Sequence, residues 1–137
     1  LPPRSTLARP RRQRQMCIRD SPLDATNHVP VTRDFYQRLE NNRSTAVAEF
    51  SFRVLAAQEG NVGSGWYFFW DPLAAAVVPD EDLVTFQELP IVVIEAEGPE
   101  SGWTQENETG VCMRVALSAD QERFESLFLE ALNGRLP

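Results

Sequence analysis

Apolar and polar positions divide the chain into short elements. Thr32 is placed to cap a helix in which Phe35, Tyr36 and Leu39 share one face, and Asn41-Asn42 ends it. From Thr45 to Ala57 the pattern alternates. Ala48, Phe50, Phe52 and Val54 fall on one side and Glu49, Ser51 and Arg53 on the other, the period of a half-buried strand. A glycine-rich loop, Glu59 to Gly65, leads into Trp66-Tyr67-Phe68-Phe69-Trp70, whose aromatic density predicts a second strand. Asp71-Pro72 suits a turn, with Leu73 to Val78 as the returning strand of a hairpin.

Beyond the acidic turn Pro79 to Asp82, the run Leu89 to Ala96 is the most apolar of the chain and fits the centre of a covered sheet. Gly98 to Thr109 reads as a polar excursion with Trp103 as its anchor, and Val111 to Leu117 as the last strand. Ser118 with Gln121 matches a capping box. Phe124, Leu127, Phe128, Ala131 and Leu132 then recur at helical spacing until Asn133-Gly134 stops the helix. The order predicts an α+β fold, an antiparallel sheet of four to five strands with an N-terminal and a C-terminal helix. Residues 22–31, rich in Pro, Asp and Asn, read as a linker, and residues 32–134 as a single domain.

Charge changes the picture at the N-terminus. Arg11 to Ser21 resembles one reading frame of the adapter used in transposase-based sequencing libraries, and Pro2 to Thr6 resembles the upstream part of the same adapter. Residues 1–21 are therefore set apart as a non-native, disordered segment. They hold six of the 13 basic and one of the 20 acidic residues, which leaves 7 against 19 and changes the net charge from −7 to −12. Such a surface repels nucleic-acid phosphate unless its arginines cluster. Lysine is absent throughout, which removes lysine-dependent chemistry.

With Cys17 set aside, Cys112 stands alone in a predicted strand and reads as a small core residue. No apolar run approaches a membrane span, so the expectation is a cytoplasmic protein with no membrane partner.

Candidate chemistry is sparse. His28, the one histidine, falls in the predicted linker, and one His with one Cys cannot furnish a closed zinc site. Asp80, Glu81 and Asp82, with Glu95 and Glu97 at strand spacing, make a hard cation the better metal hypothesis, against which stands a solvated acidic face. Gly60, Gly63 and Gly65 lack the Lys-Ser/Thr ending of a phosphate loop. The sequons at Asn42 and Asn107 matter only in a secreted protein. Trp66 to Trp70 can divide between core packing and stacking on a base. No catalytic, cofactor-binding or metal residue is assigned.

Three segments carry a family resemblance. Phe35 to Glu40 with Ser44-Thr45-Ala46, the aromatic run Gly65 to Trp70, and Leu89-Pro90 followed later by Val115 to Ser118 and Arg123 to Phe128 are similar to the N-terminal portion of bacterial PD-(D/E)XK motif proteins, nuclease-like proteins found with restriction and phage-defence genes. The resemblance implies a noncatalytic front domain that positions nucleic acid or a restriction-system subunit. Mg²⁺ chemistry would lie in a downstream region, because Glu95-Ala96-Glu97 is not the Glu-x-Lys of that motif. A stand-alone acidic interaction protein, such as an immunity protein or specialised chaperone, is the alternative. A metal-dependent enzyme built on the clustered acids is a third reading.

Overall fold

The computed structural model describes residues 19, 20 and 22–135. Two compact bodies make up the chain. The larger runs up to Phe86 and resumes at Ala116; the smaller comprises Gln87–Val115 with the Arg19–Asp20 segment. The expected disorder of residues 1–21 falls, for residues 1–18 and 21, outside the described residues. Arg19–Asp20 form a two-residue strand, β1.

In the larger body, Pro22 to Val31 carries a short helix, α1 (Leu23–Thr26), and places Ala25, Val29 and Val31 in the core. Helix α2 (Arg33–Asn41) forms as its pattern predicts. Thr32 Oγ1 accepts from Phe35 N at 3.0 Å, and Phe35, Tyr36 and Leu39 are buried.

The stretch predicted as an alternating strand is instead helix α3 (Ala46–Ala56), with Thr45 Oγ1 accepting from Ala48 N at 3.0 Å. Its inward set is Ala48, Phe52 and Leu55, at i, i+4 and i+7. Phe50 and Val54, grouped with the core by a period-two reading, are exposed. The alternation was compatible with both periods, and a capping threonine with four alanines between positions 46 and 57 decided for the helix.

The expected aromatic hairpin is also corrected. Trp66 to Phe69 pair only through an isolated bridge, Pro30 with Phe68, supported by Val31 N donating to Tyr67 O (2.8 Å) and Phe69 N to Val29 O (3.0 Å). The predicted return strand is helix α4 (Trp70–Val77). Pro72 sits in the first turn, where its missing N–H costs nothing, and Ala74-Ala75-Ala76 follow as strong helix formers. Leu73 and Val77 bury one face.

Helix α5 (Gln121–Leu132) is capped two residues later than expected: Asp120 Oδ1, rather than Ser118, accepts from Arg123 N at 3.0 Å. Asp120 N in turn donates to Leu83 O at 2.9 Å, so strand pairing extends past Ser118.

Four phenylalanines fill the centre. Phe35 meets Phe69 edge-on with ring centroids 4.8 Å apart, and Phe124 stacks on Phe128 at 5.4 Å. Two polar junctions tie α2 and α3 to α5. Arg38 Nη2 donates to Glu125 Oε2, a buried carboxylate that also accepts from Gln121 Nε2 at 2.7 Å. Thr45 Oγ1 donates to Leu132 O at 2.5 Å, while Asn133 Oδ1 accepts from the backbone and hydroxyl of Ser44.

The sheet contains β2 (Val84–Val93), β3 (Thr104–Glu106) and β4 (Val111–Ala119) in the order β1-β4-β2-β3. β3 runs antiparallel to β2 with Ile91 opposite Glu106 and Val93 opposite Thr104, and β1 runs parallel to β4 with Arg19 opposite Arg114. β2 and β4 are also antiparallel, since Leu83 meets Asp120 at one end and Ile91 meets Gly110 at the other. A Cβ on Gly110 would lie 2.6 Å from Ile91 backbone atoms, so only glycine permits that approach. The fold is α+β as predicted, with three antiparallel strands among the described residues rather than four to five. The segments 45–57 and 73–78 entered helices, and residues 66–69 form no ladder.

Candidate functional site

The acidic residues considered for a cation do not come together. Asp80 caps the 3₁₀ turn Glu81–Leu83, accepting from Asp82 N, and pairs with Arg123 Nη2 at 2.8 Å. Glu95 and Glu97 are exposed beyond the end of β2. Among the described residues, no group of three His, Cys, Asp or Glu side chains could hold a metal ion.

Cys112 lies in β4, but its expected place in the core is corrected. It is exposed beside exposed Val111, because burial in β4 is complete only at Val115 and Ala116. His28 is exposed in the turn after α1. Gly63 and Gly65 take positive φ in the loop before Trp66, and Arg33 braces that loop by bonding to the Glu59 carboxylate and carbonyl. The sequon asparagines both accept structural hydrogen bonds, Asn107 within its own turn and Asn42 across the fold. Asn107 Oδ1 accepts from Thr109 N and Oγ1, and Asn42 Oδ1 accepts from Arg135.

The aromatic run divides by depth. Phe69 is buried, Tyr67 and Phe68 are half-buried, Trp66 is 86% exposed and Trp70 is 40% exposed. Trp70 begins α4, held edge-on to Tyr67 at 5.8 Å and tilted against Phe68 at 6.1 Å. Asp71 follows it in the first helical turn, where the helix dipole favours a negative charge.

This pair lies between two depressions of the larger body. One is an apolar groove of about 400 Å³ whose lining includes Phe50, Val54, Tyr67, Phe68 and Phe128. The other is a hollow of about 460 Å³ lined by Pro22, Leu23, Thr26 and Ala74. Trp70 and Asp71 border both, and Asp71 is the single charged side chain in either lining. Asp71 is exposed and makes no hydrogen bond or ion pair among the described residues. An indole face beside a free carboxylate can stack a planar ring and accept hydrogen bonds from neighbouring hydroxyls. Sequence reasoning singled out the aromatic run but placed Asp71 in a turn. The signal available was Pro72 followed by three alanines, which marks a helix start and so an outward-facing acid in its first turn.

Two solved structures that share this fold are nucleoside hydrolases. An inosine-uridine preferring nucleoside hydrolase from Bacillus anthracis matches with a TM-score of 0.71 and 26% identity, over 87% of this chain and 37% of that one. A purine-preferring ribonucleoside hydrolase from Gardnerella vaginalis matches with a TM-score of 0.63 and 25% identity, over 85% of this chain and 40% of that one. The chain thus spans about two fifths of the length of these enzymes. No family model matches the chain, and no curated protein does.

These neighbours overturn the resemblance to PD-(D/E)XK motif proteins, and with it the expected nuclease front domain and its place in restriction or phage defence. The segments behind that resemblance are short and largely hydrophobic, and two of them adopt helices that many α+β folds could use. The alternative of a stand-alone acidic interaction protein also gives way to the likeness to hydrolases. Among the described residues, no helix is long and apolar enough to cross a membrane.

Proposed function

We propose that this chain is part of a nucleoside hydrolase-like protein and that Trp70 and Asp71 form one wall of its nucleoside site. The observation that carries the reading is the likeness to two nucleoside hydrolases over more than four fifths of the chain. The chemistry of the wall agrees with it. The exposed indole of Trp70 offers a stacking surface for a nucleobase, and the unpaired Asp71 carboxylate offers acceptors to the ribose hydroxyls. The chain's formal net charge of −7 favours an uncharged nucleoside over a phosphate-bearing ligand.

Titration of the chain with inosine and with uridine, followed by calorimetry and by tryptophan fluorescence, tests the reading. Binding in the millimolar range that is lost in Trp70→Ala and weakened in Asp71→Asn is expected. Trp103→Ala, on the smaller body, should leave it unchanged. Absence of binding, or binding indifferent to both Trp70 and Asp71, would sink the proposal.

A further inference from the structure

Asn133-Gly134 closes helix α5 and is the single Asn-Gly pair of the sequence. In a free chain the nitrogen of the glycine can attack the asparagine carboxamide, because no side chain beside it hinders the approach. The folded chain opposes each requirement of that reaction. Asn133 is 6% exposed, and its amide is held at both ends. Oδ1 accepts from Ser44 N at 2.8 Å and Ser44 Oγ at 2.7 Å, and Nδ2 donates to Leu129 O at 2.9 Å. Gly134 N, the attacking atom, donates to Ala131 O at 3.1 Å. At the Asn133 ψ of 9°, Gly134 N nearly eclipses Asn133 N about the Cα–C bond, whereas closure of the five-membered ring requires it to eclipse Cβ.

We propose that Asn133-Gly134 is a deamidation site gated by the docking of α3 on α5, so that opening of this junction is recorded covalently. Once Ser44 and Thr45 part from α5, the Asn133 side chain and ψ turn freely. Gly134 N then gives its proton to solvent base and bonds to Asn133 Cγ. The Cγ–Nδ2 bond breaks, and ammonia leaves with a proton taken from solvent. Water adds to one carbonyl of the resulting succinimide and breaks that carbonyl's bond to nitrogen, which leaves aspartate or isoaspartate. Neither product rebuilds the junction. A carboxylate has no donor for Leu129 O, and its charge would be buried at the C-terminal end of α5, where the helix dipole disfavours an anion. The isoaspartyl linkage adds a methylene to the backbone and displaces Gly134, whose φ of 67° forms the helix stop.

The test incubates the whole chain in mildly alkaline buffer, with and without concentrated guanidinium chloride, and follows Asn133 by peptide mapping with mass spectrometry. Deamidation at least about tenfold slower in the native chain than in the denatured one is expected, since it must await local opening. Thr45→Val deletes the bond to Leu132 O and the cap on Ala48 N. It should raise the native rate toward the denatured rate and leave the denatured rate unchanged. Ser44→Ala removes one hydroxyl donor and keeps the α3 cap, so it should act in the same direction by a smaller factor and serves alone if Thr45→Val does not fold. The deamidated chain, and equally Asn133→Asp, should melt at least about 4 °C below the unmodified chain. Equal rates in the two conditions, a native rate indifferent to the substitutions at Ser44 and Thr45, or a deamidated chain that melts with the unmodified one would overturn the proposal.

Discussion

Replacing Arg38 with methionine isolates the energetics of the pair that ties α2 to α5. In the native protein Arg38 Nη2 donates to Glu125 Oε2, and the Glu125 side chain is only 7% exposed, while that of Arg38 is 38% exposed. Arg38→Met leaves the buried carboxylate with Gln121 Nε2 as its one remaining side-chain donor. Removing one partner of a buried ion pair costs about 3–5 kcal/mol. The partly exposed arginine lets water reach the vacated site, which lowers the expectation to about 2–3 kcal/mol.

Loss of the exposed Asp34 contact adds only about 0.3–0.5 kcal/mol, since Arg38 Nε approaches Asp34 Oδ2 at 3.0 Å without hydrogen-bond geometry. For a domain of this size the total is a fall in melting temperature of roughly 10–20 °C. The double variant Arg38→Met/Glu125→Leu removes charge and desolvation together and should lie within about 1 kcal/mol of the wild type. Urea denaturation of the wild type, both single variants and the double variant yields the coupling energy. A cost below about 0.5 kcal/mol for Arg38→Met, or strict additivity in the cycle, would refute the view that Glu125 depends on Arg38.

Two further outcomes are expected. Burial, followed by the charges of Glu59 and Glu40, raises the Tyr36 phenol above its ordinary value of 10.0. The neutral form is therefore favoured by folding; its contribution is complete below pH 10.0 and is lost as pH rises through the higher folded value. An ultraviolet titration of tyrosinate should show a late ionisation that disappears in Tyr36→Phe, and loss of an early one instead would contradict the assignment. Gly110→Ala forces a methyl group to within 2.6 Å of the Ile91 backbone. The β2–β4 end must separate, so amide exchange at Ile91 and Val92 should accelerate; unchanged protection would show that the approach is looser than described.

How far the sequence was legible depended on whether an element's signals were local and agreed with one another. Helix α2 was legible because its cap, its apolar spacing and its terminating asparagines pointed the same way, and the helical character of α5 was clear despite the shift of its cap to Asp120. Helix α3 differs from the predicted strand because alternate positions from Ala48 to Val54 are apolar, a pattern that a helix with apolar residues both on its buried face and on its exposed face also produces. In α4, aromatic and small apolar residues resembled a hairpin, and the helix-starting role of Pro72 was overlooked. Trp70 and Asp71 could not be recognised as a pair, because neither the exposure of the indole nor the unpaired state of the carboxylate is a property of neighbouring residues.

The sequence by itself determined the α+β class, helices α2 and α5 and the apolar residues of α2 that enter the core, since caps and periodicity act within a few residues. Tertiary structure alone decided which face of α3 turns inward, why Gly110 tolerates no side chain, which acids find partners and that Trp70 stands beside an Asp71 with no partner among the described residues. Those outcomes depend on contacts between segments far apart in the chain, as between Arg38 and Glu125 or Thr45 and Leu132. A linear pattern carries the hydrophobicity and charge of each side chain; its burial and its partner are set only when distant segments compete for the same space.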